Sequence, residues 1–361
     1  MHILTKLLKM QISNNPKYIF FEDNNVDYLN TLVENNNYSS IFLLMDENTE
    51  KHCLKIIEHL FNFNFKCLTI PAGESFKTLE TCIDIWQKLS DEGADRKSLL
   101  INLGGGVVTD IGGFIASCYK RGIDFVHIPT SLLGMVDAAI GGKNGVDFKN
   151  LKNQIGVIRN PEMILIKKDF LETLPDEQIV SGFAEILKHG LIDSEDYFLE
   201  CLKVDNLDLK NVSHLIDKSV EIKSKIVKED AEEKGLRKVL NYGHTLGHAI
   251  ESYRMSLAPE KHLLHGEAIA IGLVLETYIS YKMYRFPKES LDQLKTCVHK
   301  FYNPQSFNDQ EQKTIFDLMK FDKKNYKDQI NFVLLKNIGE PVLDCQVDNK
   351  LIEEAFEYYH D

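Results

Sequence analysis

The rhythm of the first half constrains this chain most. From Tyr18 to about Ile166, short apolar runs (YIFF, SIFLLMD, CLTIPAG, SLLINLGGG, DFVHIPT, MILI) alternate with longer amphipathic stretches. Apolar runs of this length, separated by helical periodicity, read as strands covered by helices on both faces, hence β-α-β units and a mostly parallel sheet. After TLPDEQ the rhythm changes. IVSGFAEILKHGLI, VSHLIDKSVEIKSKIVKEDAEEKG, HGEAIAIGLVLETYISYKMY and SLDQLKTCVHKFY carry apolar residues at helical spacing, and strand-like runs return only at INFVLL and EPVLD. The expected architecture is an α/β domain over residues 1–172 followed by a mainly α-helical domain over residues 173–361, with no repeat or low-complexity tract.

At 361 residues, 43% hydrophobic and 27% charged, the chain has the composition of a soluble globular protein. Its formal charge of -12 argues against a nucleic-acid or anionic-membrane partner, which calls for a basic face. Any anionic ligand must therefore meet a local cluster of cations. The seven cysteines are scattered, odd in number and without a C-x-x-C pair, as for reduced thiols in a cytoplasmic protein. The N-terminal MHILTKLLKMQISNN lacks a sustained apolar core or cleavage site, and no apolar run is long enough to span a bilayer.

Several motifs carry chemistry. In LLINLGGGVVTDIGGFIAS a buried strand runs into Gly104, Gly105 and Gly106 and then a helix. Such a turn lets the backbone approach a diphosphate at the helix N-terminus, and it also serves as a plain structural joint. Asp46 and Asn48 stand at a strand end, where a ribose contact and a helix cap are equally consistent. VDAAIGGKNGVDFKNLKNQIG sets Lys143 among glycines with Lys149, Lys152 and Asn153 following, which suits an anion-binding loop held between apolar flanks. Glu185 and Lys188 are one helical turn apart; most such pairs are surface ion pairs, but the apolar neighbours in GFAEILKHG are also consistent with a buried, employed carboxylate. His244 and His248, four apart in NYGHTLGHAI, lie on one helix face, but Thr245 stands where an H-E-x-x-H hydrolase needs glutamate. His265 opens another apolar helix. One carboxylate and two imidazoles make the three-ligand catalytic zinc pattern with a position left open.

Taken together, PAGESFKT, GGGVVTDIGGFIAS, YKRGIDFVHIPTSLLGMVDAAIGGKNGVD, LKNQIG, SGFAEILKHG, KGLRKVLNYGHTLGHAIE and HGEAIAIG resemble the 3-dehydroquinate synthase family, from MDENT to INFVLLKNIG. The resemblance implies a Rossmann-like NAD-binding domain, a helical metal-binding domain, and usually a homodimer. The implied reaction converts 3-deoxy-arabino-heptulosonate 7-phosphate to 3-dehydroquinate plus phosphate, through transient oxidation by NAD, elimination, re-reduction and an intramolecular aldol step. Residue by residue, it implies Glu185, His244 and His265 as ligands of a divalent metal, zinc or cobalt. His248 then falls beside the substrate phosphate. Gly104, Gly105, Gly106, Asp110, Asp46, Asn48, Glu74, Lys77, Thr130 and Ser131 match NAD-contacting positions, with Lys143 and Lys152 adjoining. Asp137, Lys143, Lys152, Asn153, Lys188, Lys223, Arg237 and Asn241 match substrate-pocket positions, as does Lys323 or Lys324. Arg121 matches an arginine that the family supplies across the dimer interface.

The sequence departs from the family pattern at Thr109, Gly112, Gly134 and Met135, at DAAIGG, at Leu151, and at Asp147, where asparagine is usual. A carboxylate there is unfavourable near an anion site unless paired. Three alternatives share parts of the pattern. A metal-dependent polyol or glycerol dehydrogenase does not need the cation-rich GGKNG and LKNQIG blocks. A sister sugar-phosphate cyclase does not need the carboxylate-binding Lys143, Arg237 and Asn241. A non-catalytic homologue should have lost a metal ligand, and none is missing.

Overall fold

The computed structural model describes residues 19–21, 26–149, 151–319 and 330–361. The chain divides into two compact units, residues 1–175 with 223–231, and residues 176–222 with 232–361.

In the first unit the apolar runs become β1 (Ile19–Phe20), β2 (Ile41–Asp46), β3 (Lys66–Ile70), β4 (Leu99–Gly104), β5 (Asp124–Pro129) and β8 (Met163–Leu165). They form one six-stranded sheet in the order β1-β8-β5-β4-β2-β3, with every neighbouring pair parallel. The crossovers include α1 (Val26–Asn36), the short α2 (Glu47–His52) and α3 (Leu54–Ile57), α4 (Leu79–Asp91) and α5 (Gly106–Cys118). Strand β4 is buried throughout, as a central parallel strand covered on both faces must be. Phe42 of β2, Leu100 of β4, Ile111 of α5 and Phe125 of β5 are fully buried in one core cluster, each such burial being worth roughly 1.5–3 kcal/mol.

The departure at Gly112 has a packing cause. Asn102 of β4 projects at α5, and a Cβ at position 112 would collide with its side chain. Asn102 in turn places Nδ2 at 3.2 Å from Nδ1 of its cross-strand neighbour His127. A polar pair replaces apolar packing here, and the glycine makes room for it.

The lysine- and glycine-rich stretch expected as a loop is instead an antiparallel hairpin, β6 (Lys143–Phe148) and β7 (Leu151–Ile158). Gly145 faces Gly156 across it, and a Cβ on either would press the opposite backbone within 2.7 Å. Strand propensity is low for glycine and lysine, so the pairing is set by backbone approach, which a hydropathy pattern does not record.

The second unit contains α6 (Asp176–Asp193), α7 (Glu195–Leu202), most of α8 (Leu209–Glu229), α9 (His244–Met255), α10 (His265–Tyr284), α11 (Lys288–Phe301) and α12 (Asp309–Met319). It ends with the antiparallel pair β9 (Phe332–Asn337) and β10 (Glu340–Cys345), then α13 (Asn349–His360). The two strands lie where INFVLL and EPVLD were read. α10 is almost entirely buried from Gly266 to Ser280, which explains why it reads as uniformly apolar. Among the described residues no helix is long and apolar enough to cross a membrane.

Candidate functional site

In the second unit, α6 carries Glu185 and Lys188 one turn apart on its buried side, the carboxylate fully inaccessible and the lysine 1% exposed. The Lys188 ammonium presses on Oε2 of Glu185. The other oxygen, Oε1, lies 3.3 Å from Nε2 of His244 and 3.5 Å from Nε2 of His265. Neither oxygen takes a hydrogen bond of normal geometry.

The outer nitrogens of the two rings fix their orientation. Nδ1 of His244 is 3.0 Å from the Tyr242 carbonyl, and Nδ1 of His265 is 3.3 Å from Oε2 of Glu251. With Nδ1–H donated to those acceptors, both Nε2 lone pairs face the same carboxylate oxygen. Three electron-rich atoms then converge on one point, which is stable only with a positive charge among them, from a proton or from a cation. The titration directions agree. Burial alone raises Glu185, but Lys188, His244 and His265 outweigh it and hold the carboxyl well below its usual range. Burial lowers His265, yet Glu251 and Glu185 carry it up to about 9.

His248 belongs to the same cluster. Its ring centroid is 5.0 Å from that of His244 and 5.7 Å from that of His265, and ligand nitrogens of the three lie within 4.8 Å of one another. Geometry alone therefore permits His248 as a ligand as well as a neighbour. Elsewhere in this unit Arg237 is buried, and Asn241 donates from Nδ2 to Glu233 at 2.8 Å.

The first unit has its own charged knot. Lys77, 3% exposed, donates to Oδ2 of Asp110 and Oδ1 of Asn153, both at 2.7 Å, with Glu74 3.8 Å away. Burial lowers this ammonium, but Asp110 and Glu74 more than reverse that and keep it charged. Lys152 lies 3.4 Å from Glu74. Lys223 donates to the carbonyl and Oδ1 of Asp137 at 2.5 and 2.6 Å, on the π-helical turn Gly134–Ala138.

The glycine turn caps β4 at the start of α5, whose N-cap Gly105 supplies no side-chain acceptor. Beside it Thr130 donates its N–H to the Gly104 carbonyl at 3.0 Å, and Oγ of Ser131 accepts from Gly134 at 3.1 Å.

Other residues singled out from the sequence have simpler surroundings or lie at the surface. Asp46 caps α2, its Oδ1 accepting from Thr49 at 2.8 Å, and Asn48 is exposed on that helix. Lys143 and Arg121 are exposed. Lys323 and Lys324 lie outside the described residues.

Residues 67–181 match the family described as 3-dehydroquinate synthase N-terminal, and residues 182–325 match that described as 3-dehydroquinate synthase C-terminal. The 3-dehydroquinate synthase of Parabacteroides distasonis is 41% identical over 338 residues, which span 93% of this chain and 94% of that one. The chain belongs to the 3-dehydroquinate synthase family. It is an enzyme of that type.

Solved structures of other sugar-phosphate cyclases share the fold. A 2-epi-5-epi-valiolone synthase from Streptomyces hygroscopicus with NAD+ and Zn2+ bound gives a TM-score of 0.78 at 26% identity, covering 90% of this chain and 92% of that one. A 2-deoxy-scyllo-inosose synthase complexed with carbaglucose-6-phosphate, NAD+ and Co2+ also gives 0.78, at 23% identity over 94% and 96%.

Within this family member, sequence reading passed over Glu251 and the Tyr242 carbonyl. Glu251 is seven residues after His244 and three after His248, so helical spacing alone places it on the histidine face of α9. The carbonyl leaves no sequence signal.

Proposed function

We propose that the chain converts 3-deoxy-arabino-heptulosonate 7-phosphate to 3-dehydroquinate and phosphate, with NAD and a divalent cation, zinc or cobalt, as cofactors. The first unit serves as the NAD-binding domain and the second as the metal-binding domain. The observation that carries this reading is the convergence of Nε2 of His244 and of His265 on one oxygen of the buried Glu185. That donor set fits a divalent cation with a position left open. The NAD reading is supported by the glycine turn, where a Cβ on Gly105 or Gly106 would come within 3.2 Å of Ser131 or Ala138 and fill the space before the α5 N-terminus.

When bound, NAD takes up and returns a hydride, and the cation polarises the oxygen on the carbon being oxidised. The chain's own residues do the rest. Glu185, His244 and His265 hold the cation, with Glu251 and the Tyr242 carbonyl fixing the two rings. Lys188 balances the Glu185 charge and offers an ammonium to a substrate hydroxyl. Lys77, locked by Asp110 and Asn153, orders the residues around the cofactor together with Glu74, Thr130, Ser131, Asp46 and Asn48. Lys143, Lys152, Lys223, Arg237 and Asn241 supply donors to the phosphate and carboxylate that an enzyme of net charge -12 otherwise repels. Asp137 aims Lys223. His248 donates to the leaving phosphate.

We read Arg121 as reaching a second copy in a homodimer: it is exposed, on the turn Lys120–Gly122 with φ values of 51°, 71° and 111°. The seven unpaired cysteines favour a cytoplasmic setting.

The test is to incubate the metal-loaded protein with the heptulosonate 7-phosphate and a trace of NAD, following phosphate and NADH absorbance together. Phosphate far in excess of the NAD added supports the reading. NADH without phosphate makes the chain a dehydrogenase, and neither signal turns the assignment to another sugar phosphate.

A further inference from the structure

The helix that presents His244 has no cap of its own. α9 starts after Gly243, which offers no side-chain acceptor, although the first N–H groups of a helix have no partner within it. Here two of them are met from another helix. Oε2 of Glu276 on α10 accepts the N–H of Gly243 at 2.8 Å, and Oε1 accepts that of Leu246 at 3.0 Å. These are the N-cap and third positions, the donors that a local capping box satisfies with two side chains. One fully buried carboxylate, 33 and 30 residues along the chain, satisfies both. Its charge also stands at the positive end of the α9 dipole.

The surroundings keep this clamp in place. A Cβ on Gly272 of α10 would collide with the Gly243 carbonyl, and one on Gly243, at φ +78°, would press Leu273. Thr277, next to Glu276, places Oγ1 at 2.6 Å from the hydroxyl of Tyr242, the residue whose carbonyl holds Nδ1 of His244. The backbone before and after His244 and the partner of its ring are thus fastened to one turn of α10. His265 begins the same helix, 11 residues and about three turns before Glu276.

We propose that Glu276 is a positioning residue of the cation site: by clamping the start of α9 to α10 it sets the separation of the His244 and His265 imidazoles and aims Nε2 of His244 at Glu185. This rests on reading Glu185, His244 and His265 as the ligands. An isolated helix cap affects stability alone; a clamp between the two ligand-bearing helices also affects how well they hold a cation.

The experiment measures zinc affinity of the full chain by competition with a chromophoric chelator, with amide hydrogen exchange at Gly243 and Leu246 as the structural readout. Glu276→Ala is expected to weaken zinc binding about 10- to 100-fold, the range for groups that orient metal ligands, and to speed exchange at both amides. Glu276→Gln keeps the volume and one carbonyl acceptor but turns an NH2 on the other backbone N–H. It covers the case in which the alanine variant fails to fold, with an expected loss of about 10-fold. Zinc affinity within twofold of wild type in the folded variants, whatever their stability, overturns the positioning role. A wild-type chain that holds no zinc overturns the ligand reading, and with it the role given to Glu276.

Discussion

Lys77 in the first unit and Lys188 in the second are almost inaccessible, 3% and 1% exposed, and each lies against a carboxylate. Around Lys77 the donors and acceptors match: Asp110 and Asn153 each take a hydrogen bond at 2.7 Å. The partners respond unequally, since the ammonium is held charged while burial raises Asp110 even beside it. The short contact and the added Asn153 bond favour the ionised pair. Around Glu185 the count is reversed, with one carboxylate facing an ammonium and two imidazole nitrogens. The first knot is closed, needing nothing further. The second is open, because its imidazoles can exchange protons for a metal ion.

The largest effect should come from opening the second knot. Glu185→Gln removes the charge on which both histidines converge, so zinc content should fall close to zero. Losing several kcal/mol of polarisation should cut turnover about 10³-fold. Metal analysis after loading with zinc and steady-state rates check this; a variant that retains the added metal and turns over normally would break the distinction at its root.

Next come the two lysines. Lys77→Met leaves the half-buried Asp110 without its cation and should cost about 2–3 kcal/mol, below the roughly 3–5 kcal/mol of a fully buried pair. Lys188→Met should lose stability too in metal-free protein, but added zinc should restore it, since a dication beside Glu185 replaces the missing charge. Thermal unfolding with and without zinc separates them. An equal zinc response from both variants contradicts the contrast between closed and open knots.

The first knot was hard to read from sequence and the second easier, for a physical reason. Glu185, Lys188, His244 and His248 sit on helices, where spacing of three or four fixes a shared face. The sheet was legible for a related reason, because each strand is an uninterrupted apolar run. The Lys77 knot joins residues 33 and 76 positions apart, and it depends on a hairpin of glycines and lysines that reads as loop. Only the family resemblance brought those residues together. Asp46, which reads equally as ribose contact or cap, is engaged as a cap in this structure. Glu276 is a lone carboxylate in an apolar stretch of helix, and its partners are backbone N–H groups without sequence signature.

A buried histidine without a carboxylate extends the comparison. Burial disfavours the charged forms of both His127 and His265. Only His265 has acids to reverse it, and His127, opposed by no more than the Asn144 side chain, is lowered to about 3. A folded pKa below the unfolded value of 6.5 means the unfolded chain binds more protons between them, so stability is retained above pH 6.5 and lost as pH falls. By pH 5 this group alone should cost about 2 kcal/mol. Urea unfolding at pH 7 and 5 should show that loss in wild type and its absence in His127→Asn. An unchanged pH dependence in the variant would mean that His127 is not buried neutral.

The smallest effect concerns Asp147, a carboxylate where the family resemblance implies asparagine. Its Oδ1 accepts the N–H of Asn153 at 2.7 Å, and its own N–H donates to the Lys77 carbonyl at 2.9 Å. Asn153 sits at φ +52° and reaches Lys77, so Asp147 braces the first knot from behind. Asp147→Asn retains the acceptor and should leave NAD affinity unchanged. Asp147→Ala removes it and should weaken the brace by about 0.5–1.5 kcal/mol, the net worth of one hydrogen bond, which is a few-fold loss in NAD affinity. Charge supplies a separate readout. Burial raises the Asp147 carboxyl, against the pull of the Asn153 N–H and Lys77, so the ionised form is disfavoured in the folded state. Asp147→Asn should therefore be slightly stabilising at neutral pH, and the gain should vanish below the unfolded carboxyl value. A loss of stability at neutral pH would instead mean that the charge itself, paired with Lys77, holds this knot closed.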